Sequence, residues 1–327
     1  MLGFLIRRTL WFVITVLVVI TVSFFLMRQV RGGPFDQDRT LNAAIEKNLN
    51  ARYHLDWPIW RQFFHYLGPF NLDEEGVIYG EGEGAWWGGV LTGDLGPSFK
   101  YRDFDVNDII AQSLPISVLL GSMALLFAVI LGLAAGIISA LKRGTSLDLA
   151  MRLTATTGIA LPNFVIAGFL IVIFVFTFNW FPVAGWGTLS HMVLPAFALG
   201  APFAAYIARL TRTGMLEVLS HDYIRTAHAK GLPARTVLLR HAIKGGILPV
   251  VSYLGPATAG ILTGSLVIER IFHISGTGSH FINSAINRDY TLAMGVTILY
   301  TVLVYALNTL VDFAYTLLDP RIKLEDH

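Results

Sequence analysis

The chain has 327 residues, 54% of them hydrophobic and only 14% charged, against about 25% charged in an ordinary soluble domain. The formal charge of +2 points to no acidic partner and gives no footprint for nucleic acid. With no cysteine, disulfides, thiol nucleophiles and Cys-ligated zinc or iron–sulfur centres are excluded.

In chain order, Arg7 and Arg8 precede an uncharged run over 9–27. At about 1.5 Å per residue this run covers most of a hydrocarbon core of about 30 Å. No short apolar stretch with a small-residue cleavage site is present, so the run is read as a retained first span. The next segment, 28–113, carries 8 basic and 13 acidic residues. Its aromatics, among them Tyr53, Trp57, Trp60, Phe63 and Tyr66, predict a small folded insertion rather than a disordered tail. Residues 42–54 fit a short amphipathic helix, and the Glu- and Gly-rich stretch 74–84 fits a flexible loop.

Five further spans are expected, at 115–141, 152–178, 191–213, 247–268 and 291–315. Asn179, Trp180, Phe181, Pro182, Gly185 and Gly187 separate the third from the fourth, a composition suited to a turn at the membrane interface. The fold class is therefore all-α and polytopic, with six transmembrane helices and an extracytoplasmic insertion after the first. Six spans place every basic segment on one face: Arg7 and Arg8; Lys142, Arg143 and Arg152; the run from Arg209 to Lys244; and Arg321 with Lys323. The positive-inside tendency makes that face cytoplasmic, with both termini on it. The expected layout is 1–27 (N-terminus and first span), 28–113 (outer insertion), 114–316 (five-helix core with a cytoplasmic loop 214–246) and 317–327 (cytoplasmic tail). Gly121, Gly132 and Gly136, and Gly255, Ala259, Gly260 and Gly264, are read first as close helix packing in lipid and second as a pore lining.

No catalytic framework is legible. No Gly-Lys pair exists from which a phosphate-binding loop could be built, there is no HExxH pattern, and the nine His are scattered. No metal-ligand set is read, and no cofactor is expected in this chain. The only carboxylate placed inside a span is Asp312, read as a capping or interhelical contact. Spans free of ionisable carriers suggest that energy arrives from outside the chain, although an ion-coupled secondary transporter stays open.

The loop 214–246 is the most informative segment. Helix formers run over 217–230, Gly231 can supply a left-handed terminal residue, and Pro233 prevents continuation. A short helix over 217–231 is expected, touching its own protein on one side and a partner on the other. Composition alone also fits a plain solvated basic loop.

Here the sequence resembles a known family. Arg225-Thr226-Ala227, Ala229-Lys230-Gly231-Leu232, Leu239-Arg240-His241-Ala242 and Leu248-Pro249 are similar to the permease signature of ATP-binding-cassette importers. Asp94-Leu95-Gly96-Pro97-Ser98, Leu161-Pro162-Asn163-Phe164, Val267-Ile268-Glu269, Asn287-Arg288-Asp289-Tyr290 and Asp319-Pro320-Arg321 resemble the peptide-type permeases. Ser98-Phe99-Lys100-Tyr101 and Val106-Asn107-Asp108 look most like the B subunits of oligopeptide permeases. The sequence departs from the family pattern at Ser275, where proline is usual, at Gly245-Gly246, and around 74–89, which looks inserted.

The resemblance implies a bacterial inner-membrane permease subunit for oligopeptides, or for dipeptides, nickel or other cargo of the same family. It implies a second homologous permease, two cytoplasmic ATP-binding subunits that hold ATP and magnesium, and an extracytoplasmic peptide-binding protein. It assigns ATPase coupling to Asp222, Arg225, Thr226, Ala227, Ala229, Lys230, Gly231 and Leu232. Lacking a phosphate-binding loop, the chain purified alone is expected to hydrolyse no ATP; phosphate release above a boiled-protein control would contradict this.

Overall fold

The computed structural model describes residues 2–29, 43–68, 88–101, 103–263 and 265–318. In chain order the helices are α1 (Leu2–Gln29), α2 (Ala43–Arg52), α3 (Ile59–Leu67), α4 (Val106–Leu141) and α5 (Ser146–Ala160). Then come α6 (Asn163–Leu170, passing into a π-helical Ile171–Thr177), α7 (Leu189–Leu219) and α8 (Asp222–Ala229). The helical stretch α9 follows as Ala234–Thr236, a π-helical Val237–Ala242 and Ile243–Gly246 in succession. The last are α10 (Leu248–Thr263), α11 (Leu266–Ile271), α12 (Thr277–Asn287) and α13 (Tyr290–Leu318). Among the described residues there is no strand, only an isolated bridge between Pro97 and Asp105. The chain packs as two compact units, Met1–Pro115 with Gly276–Tyr305, and Ile116–Ser275 with Ala306–Asp326.

In the first unit α1 leaves Leu10, Trp11, Val18 and Leu26 exposed and buries Ile20 and Phe24. An apolar surface of this extent suits lipid rather than water. Ile20 and Phe24 pack with Tyr66 of α3, Phe99, and Tyr290, Met294 and Ile298 of α13. The Arg28 guanidinium lies 3.7 Å from the Phe24 ring centroid, and its Nε donates to Gln62 Oε1 at 2.8 Å, fixing α3 to the end of α1. Asp289 fastens the chain before α4: the Ser98 hydroxyl and the Phe99 amide (3.1 Å) both donate to its carboxylate. The short helix expected over 42–54 is present as α2, Ala43–Arg52, but its apolar residues do not gather on one face, so it is not amphipathic as expected. The stretch 74–84 and the tail 319–327 lie outside the described residues, as does the Asp312 side chain.

In the second unit α7 is the central element, packed against α5, α6, α9, α10 and α11. Its approach to α4 is backbone-close. A Cβ on Gly132 would sit 2.7 Å from the Ala204 carbonyl oxygen, one on Gly136 2.6 Å from that of Ala208, and one on Gly200 2.4 Å from that of Ala124. Each glycine thus stands where a side chain would push the helices apart, so Gly132 and Gly136 serve packing.

Two further sequence expectations need correction. The third span, expected over 152–178, is made of two helices, α5 and α6, bent by 112° at Leu161-Pro162. A residue before proline avoids the helical region, and Leu161 accordingly sits at φ −83°, ψ 129°. The start also moves back to Ser146, because Thr145 caps α5 by accepting from the Asp148 amide at 3.4 Å. Among the described residues five helical segments are long and apolar enough to cross a bilayer: α1, α4, α7, α10 with α11, and α13. The bent pair makes a sixth if it crosses as one.

The second correction concerns carboxylates. Glu269 falls inside the candidate span Leu248–Ile271 and is fully buried. The hydroxyls of Ser117 and Ser265 each donate to its Oε1 at 2.7 Å, joining α11 to α4. Asp312 is therefore not the only acid in a span, and the absence of internal carriers no longer argues about energetics.

Gly136→Leu is expected to lower the melting temperature of the detergent-purified chain, since overpacking costs about 1–3 kcal/mol. Gly168→Leu, where an added Cβ meets nothing within 4 Å, is the matched control and should melt with the unaltered chain.

Candidate functional site

The expected helix over 217–231 is broken in two. Glu217 belongs to the last turn of α7, which ends at Ser220, where the Ser220 hydroxyl donates to the Glu217 carbonyl at 2.6 Å. His221 is extended and opens α8, Asp222–Ala229, with Asp222 in the first turn where a negative charge suits the helix N-terminus. The end of α8 is as the sequence indicates. Gly231 has φ +79°, its amide donates to the His228 carbonyl at 2.9 Å, and the Leu232 amide reaches back to Ala227 at 3.3 Å. This pair of bonds is a Schellman closure, and the left-handed residue it needs is the reason for glycine. No atom lies within 4 Å of where a Gly231 Cβ would be, so backbone conformation alone, and not space, restricts the position.

α8 is rooted by one face. Ile224 and Ala227 are buried with Ala140 of α4, Met215 and Val218 of α7, and Val237 and Ala242 of α9. Burying Ile224 stabilises this seat by about 1.5–3 kcal/mol. Of the residues expected to couple, Ala227 therefore faces its own protein. Asp222, Arg225, Thr226, Ala229, Lys230, Gly231 and Leu232 are exposed on the other side. Arg225 Nη1 lies 3.4 Å from Asp222 Oδ1, a pair too open to water to matter much to stability. Tyr223, which the motif reading omitted, is 46% exposed beside them. Arg235, Arg240 and Lys244 extend the open surface, which carries five basic residues, with Arg225 and Lys230, against Glu217 and Asp222.

The stem of this site is held by a residue that sequence reasoning missed. Asp148 is 1% exposed and accepts from Arg212 Nε (2.8 Å) and Nη2 (3.0 Å) as a bidentate pair. It also accepts from the Ser139 hydroxyl at 2.6 Å and the Gly144 amide at 3.0 Å. One carboxylate thus joins the end of α4, the turn after it, the start of α5 and α7 two turns above its end. The Thr145-Ser146-Leu147-Asp148 run carries a capping-box signal that marks the start of α5, but nothing local names Arg212.

The departure at Gly245-Gly246 also has a structural reading. A Cβ on Gly214 would meet the Gly246 carbonyl oxygen at 2.4 Å, and one on Gly246 would meet Met215 Sδ at 2.4 Å. The glycines let α9 lie directly on α7. Just before the departure at Ser275, His273 takes φ +52° and the Ile274 amide closes α11 by donating to the Glu269 carbonyl at 2.8 Å. α12 then opens at Thr277 with Gly276 as its cap. Among the described residues no cluster of His, Asp or Glu has metal-binding geometry.

Residues 132–324 match the family described as "Binding-protein-dependent transport system inner membrane component". The chain is 45% identical over 325 residues to the "Oligopeptide transport system permease protein OppB" of Escherichia coli (strain K12), covering 99% of this chain and 100% of that one. It is 43% identical over 321 residues to the "Dipeptide transport system permease protein DppB" of Bacillus subtilis (strain 168), covering 98% of each. An inward-facing structure of the MetNI methionine ABC transporter matches 64% of this chain and 96% of that chain, with a TM-score of 0.56 at 15% identity, a likeness of fold. The chain belongs to the family of binding-protein-dependent inner-membrane transport components and is a multi-pass permease homologous to the peptide permeases of ABC importers.

Asp148→Asn is expected to lower the melting temperature, because the amide removes the charge facing Arg212 and presents donors to Ser139 and Gly144. Asp148→Leu with Arg212→Met should recover part of the loss. A single variant melting with the unaltered chain would remove Asp148 from this role.

Proposed function

We propose that this family member is one of two membrane-spanning subunits of an ATP-driven oligopeptide importer, placed in the bacterial inner membrane with both termini cytoplasmic. A second homologous permease encloses the path with it. Two cytoplasmic subunits bind ATP and magnesium, and an extracytoplasmic peptide-binding protein delivers cargo. The segment from Asp222 to Leu232 is the docking element for an ATPase subunit. With α5 and α6 taken as one crossing, all the basic segments fall on a single side, which supports the orientation.

The observation that carries this reading is the two-sided seating of α8. Its underside is set in an apolar cluster built from α4, α7 and α9, and its other face is open and cationic. A displacement imposed on that face passes into α7, a helix of 31 residues that extends about 46 Å. For ATP to drive the change, α8 must make different contact energies in the two states of the motor; equal docking in both would transmit nothing. Identities of 45% and 43% to relatives named for oligopeptides and dipeptides favour a second reading, dipeptide import by the same mechanism. Uptake of labelled peptides of two to five residues separates the two.

Gly231→Val is expected to abolish ATP-dependent uptake in vesicles holding the full complex while leaving the chain in the membrane. The left-handed conformation costs a side-chain-bearing residue about 1–2 kcal/mol, and a β-branched one resists it further. Gly231→Asn, which tolerates that conformation, should keep most uptake. Because the chain has no native cysteine, Arg225→Cys should cross-link to an ATPase subunit during turnover. Normal uptake by the valine variant, or no cross-link from Arg225→Cys, would overturn the assignment.

A further inference from the structure

Along the second unit an apolar groove of about 520 Å³ runs between α4, α5 and α7, a volume within the range of about 300–1,000 Å³ typical of ligand sites. On α4 it follows Phe127, Leu131 and Ala135, four residues apart on one helix face; on α7 it follows Phe197, Ala201 and Ala208. At Ala135 and Ala208 it meets a second pocket of about 270 Å³ lined by Ser139, Arg152, Arg209 and Arg212. On α7 the lining thus runs from apolar Phe197 to basic Arg209 and Arg212, and on α4 from Phe127 to the Ser139 hydroxyl, in the same chain direction. The α4 face from Phe127 to Ser139 is about 18 Å long, close to the depth of one leaflet's hydrocarbon, half of about 30 Å.

The basic end has charge to spare. Its lining includes three guanidinium groups and no carboxylate, and Arg212 is engaged by two bonds to Asp148. Arg152 stands 3.6 Å from Asp148 with half its side chain exposed, and Arg209 is exposed, 4.8 Å from the Tyr206 ring centroid. The apolar end offers a peptide almost nothing. Thr154 and Thr157 are its only polar side chains, and the Thr154 hydroxyl already donates to the Ala150 carbonyl at 2.9 Å. A peptide backbone laid there would lose hydrogen bonds that an acyl chain does not need.

We propose that this groove is a binding site for an anionic phospholipid, with one acyl chain along α4 and α7 and the headgroup phosphate on Arg152 and Arg209. Guanidinium forks match phosphate oxygens, and basic pockets between membrane helices select anionic headgroups. The proposal does not rest on the coupling role of α8.

The test is native mass spectrometry of the full chain, purified with whatever subunits accompany it and exposed to equal phosphatidylglycerol and phosphatidylcholine of identical chains. Phosphatidylglycerol should be retained over phosphatidylcholine by about tenfold. Arg152→Gln with Arg209→Gln should bring the ratio near one, and Ala201→Phe should reduce retention of both lipids. Equal retention by the unaltered chain, or a preference that survives the double variant, overturns the proposal. A second readout does not depend on those variants folding. Thr157→Cys in the cysteine-free chain, labelled with a fluorophore, should be quenched more by brominated phosphatidylglycerol than by brominated phosphatidylcholine. Equal quenching, or efficient cross-linking of that cysteine to another subunit, would make the groove something other than a lipid site.

Discussion

The second unit depends on two helices meeting backbone to backbone. α4 and α7 touch where Gly132, Gly136 and Gly200 leave no side chain, each facing a carbonyl oxygen of the other helix. In lipid no hydrophobic force draws helices together, so contact must come from close packing and polar bonds. Once α4 and α7 are in register, Ser139 and Arg212 converge on one carboxylate, and the ends of both helices line the seat of α8. The apolar groove and its arginine end follow from the same pair, because the groove runs alongside the contact beside α5 and shares Gly200, Ala204 and Ala208 with it.

This arrangement explains how a helix of eight residues can hold one defined position at the end of α7. Alone, a helix of that length is marginal in water. Ile224 and Ala227 give it a fixed bed, the Schellman closure at Gly231 gives it a defined end, and the extended backbone of His221 gives it a start. The cationic residues lie where they do not interfere with that bed. Among the described residues Arg225 pairs only with the exposed Asp222, at 3.4 Å, a contact open to water and weak.

What could be read from the sequence is what depends on short-range pattern. Uncharged runs gave the apolar helices, and Gly231 with Pro233 gave the end of α8 from two residues. The bend within the third expected span was missed although its cause, Pro162, was in plain view: hydropathy counts a proline as one residue in a run, while the backbone responds with a bend. Glu269 was placed one residue outside its span because a hydropathy boundary stops at the first charge, whereas the helix carries the acid inward to two serine hydroxyls. Asp148 and Arg212 lie 64 residues apart, and no periodicity links them. The split at Ser220 and His221 was equally hidden, since both flanks have helix-forming composition. The residues assigned to coupling came from a motif that included Ala227, and nothing in that motif indicates that Ala227 is buried against its own protein.

The bend at Leu161-Pro162 bears on how such a chain is made. Each limb has 15 residues, about 22 Å of helix, short of a bilayer's hydrocarbon thickness of about 30 Å. Neither limb can therefore be threaded and released by the insertion machinery as a finished span. Because α7 is the neighbour against which both limbs rest, they settle only after α7 has emerged. Biogenesis of this region is thus a joint event of three consecutive segments rather than a stepwise one.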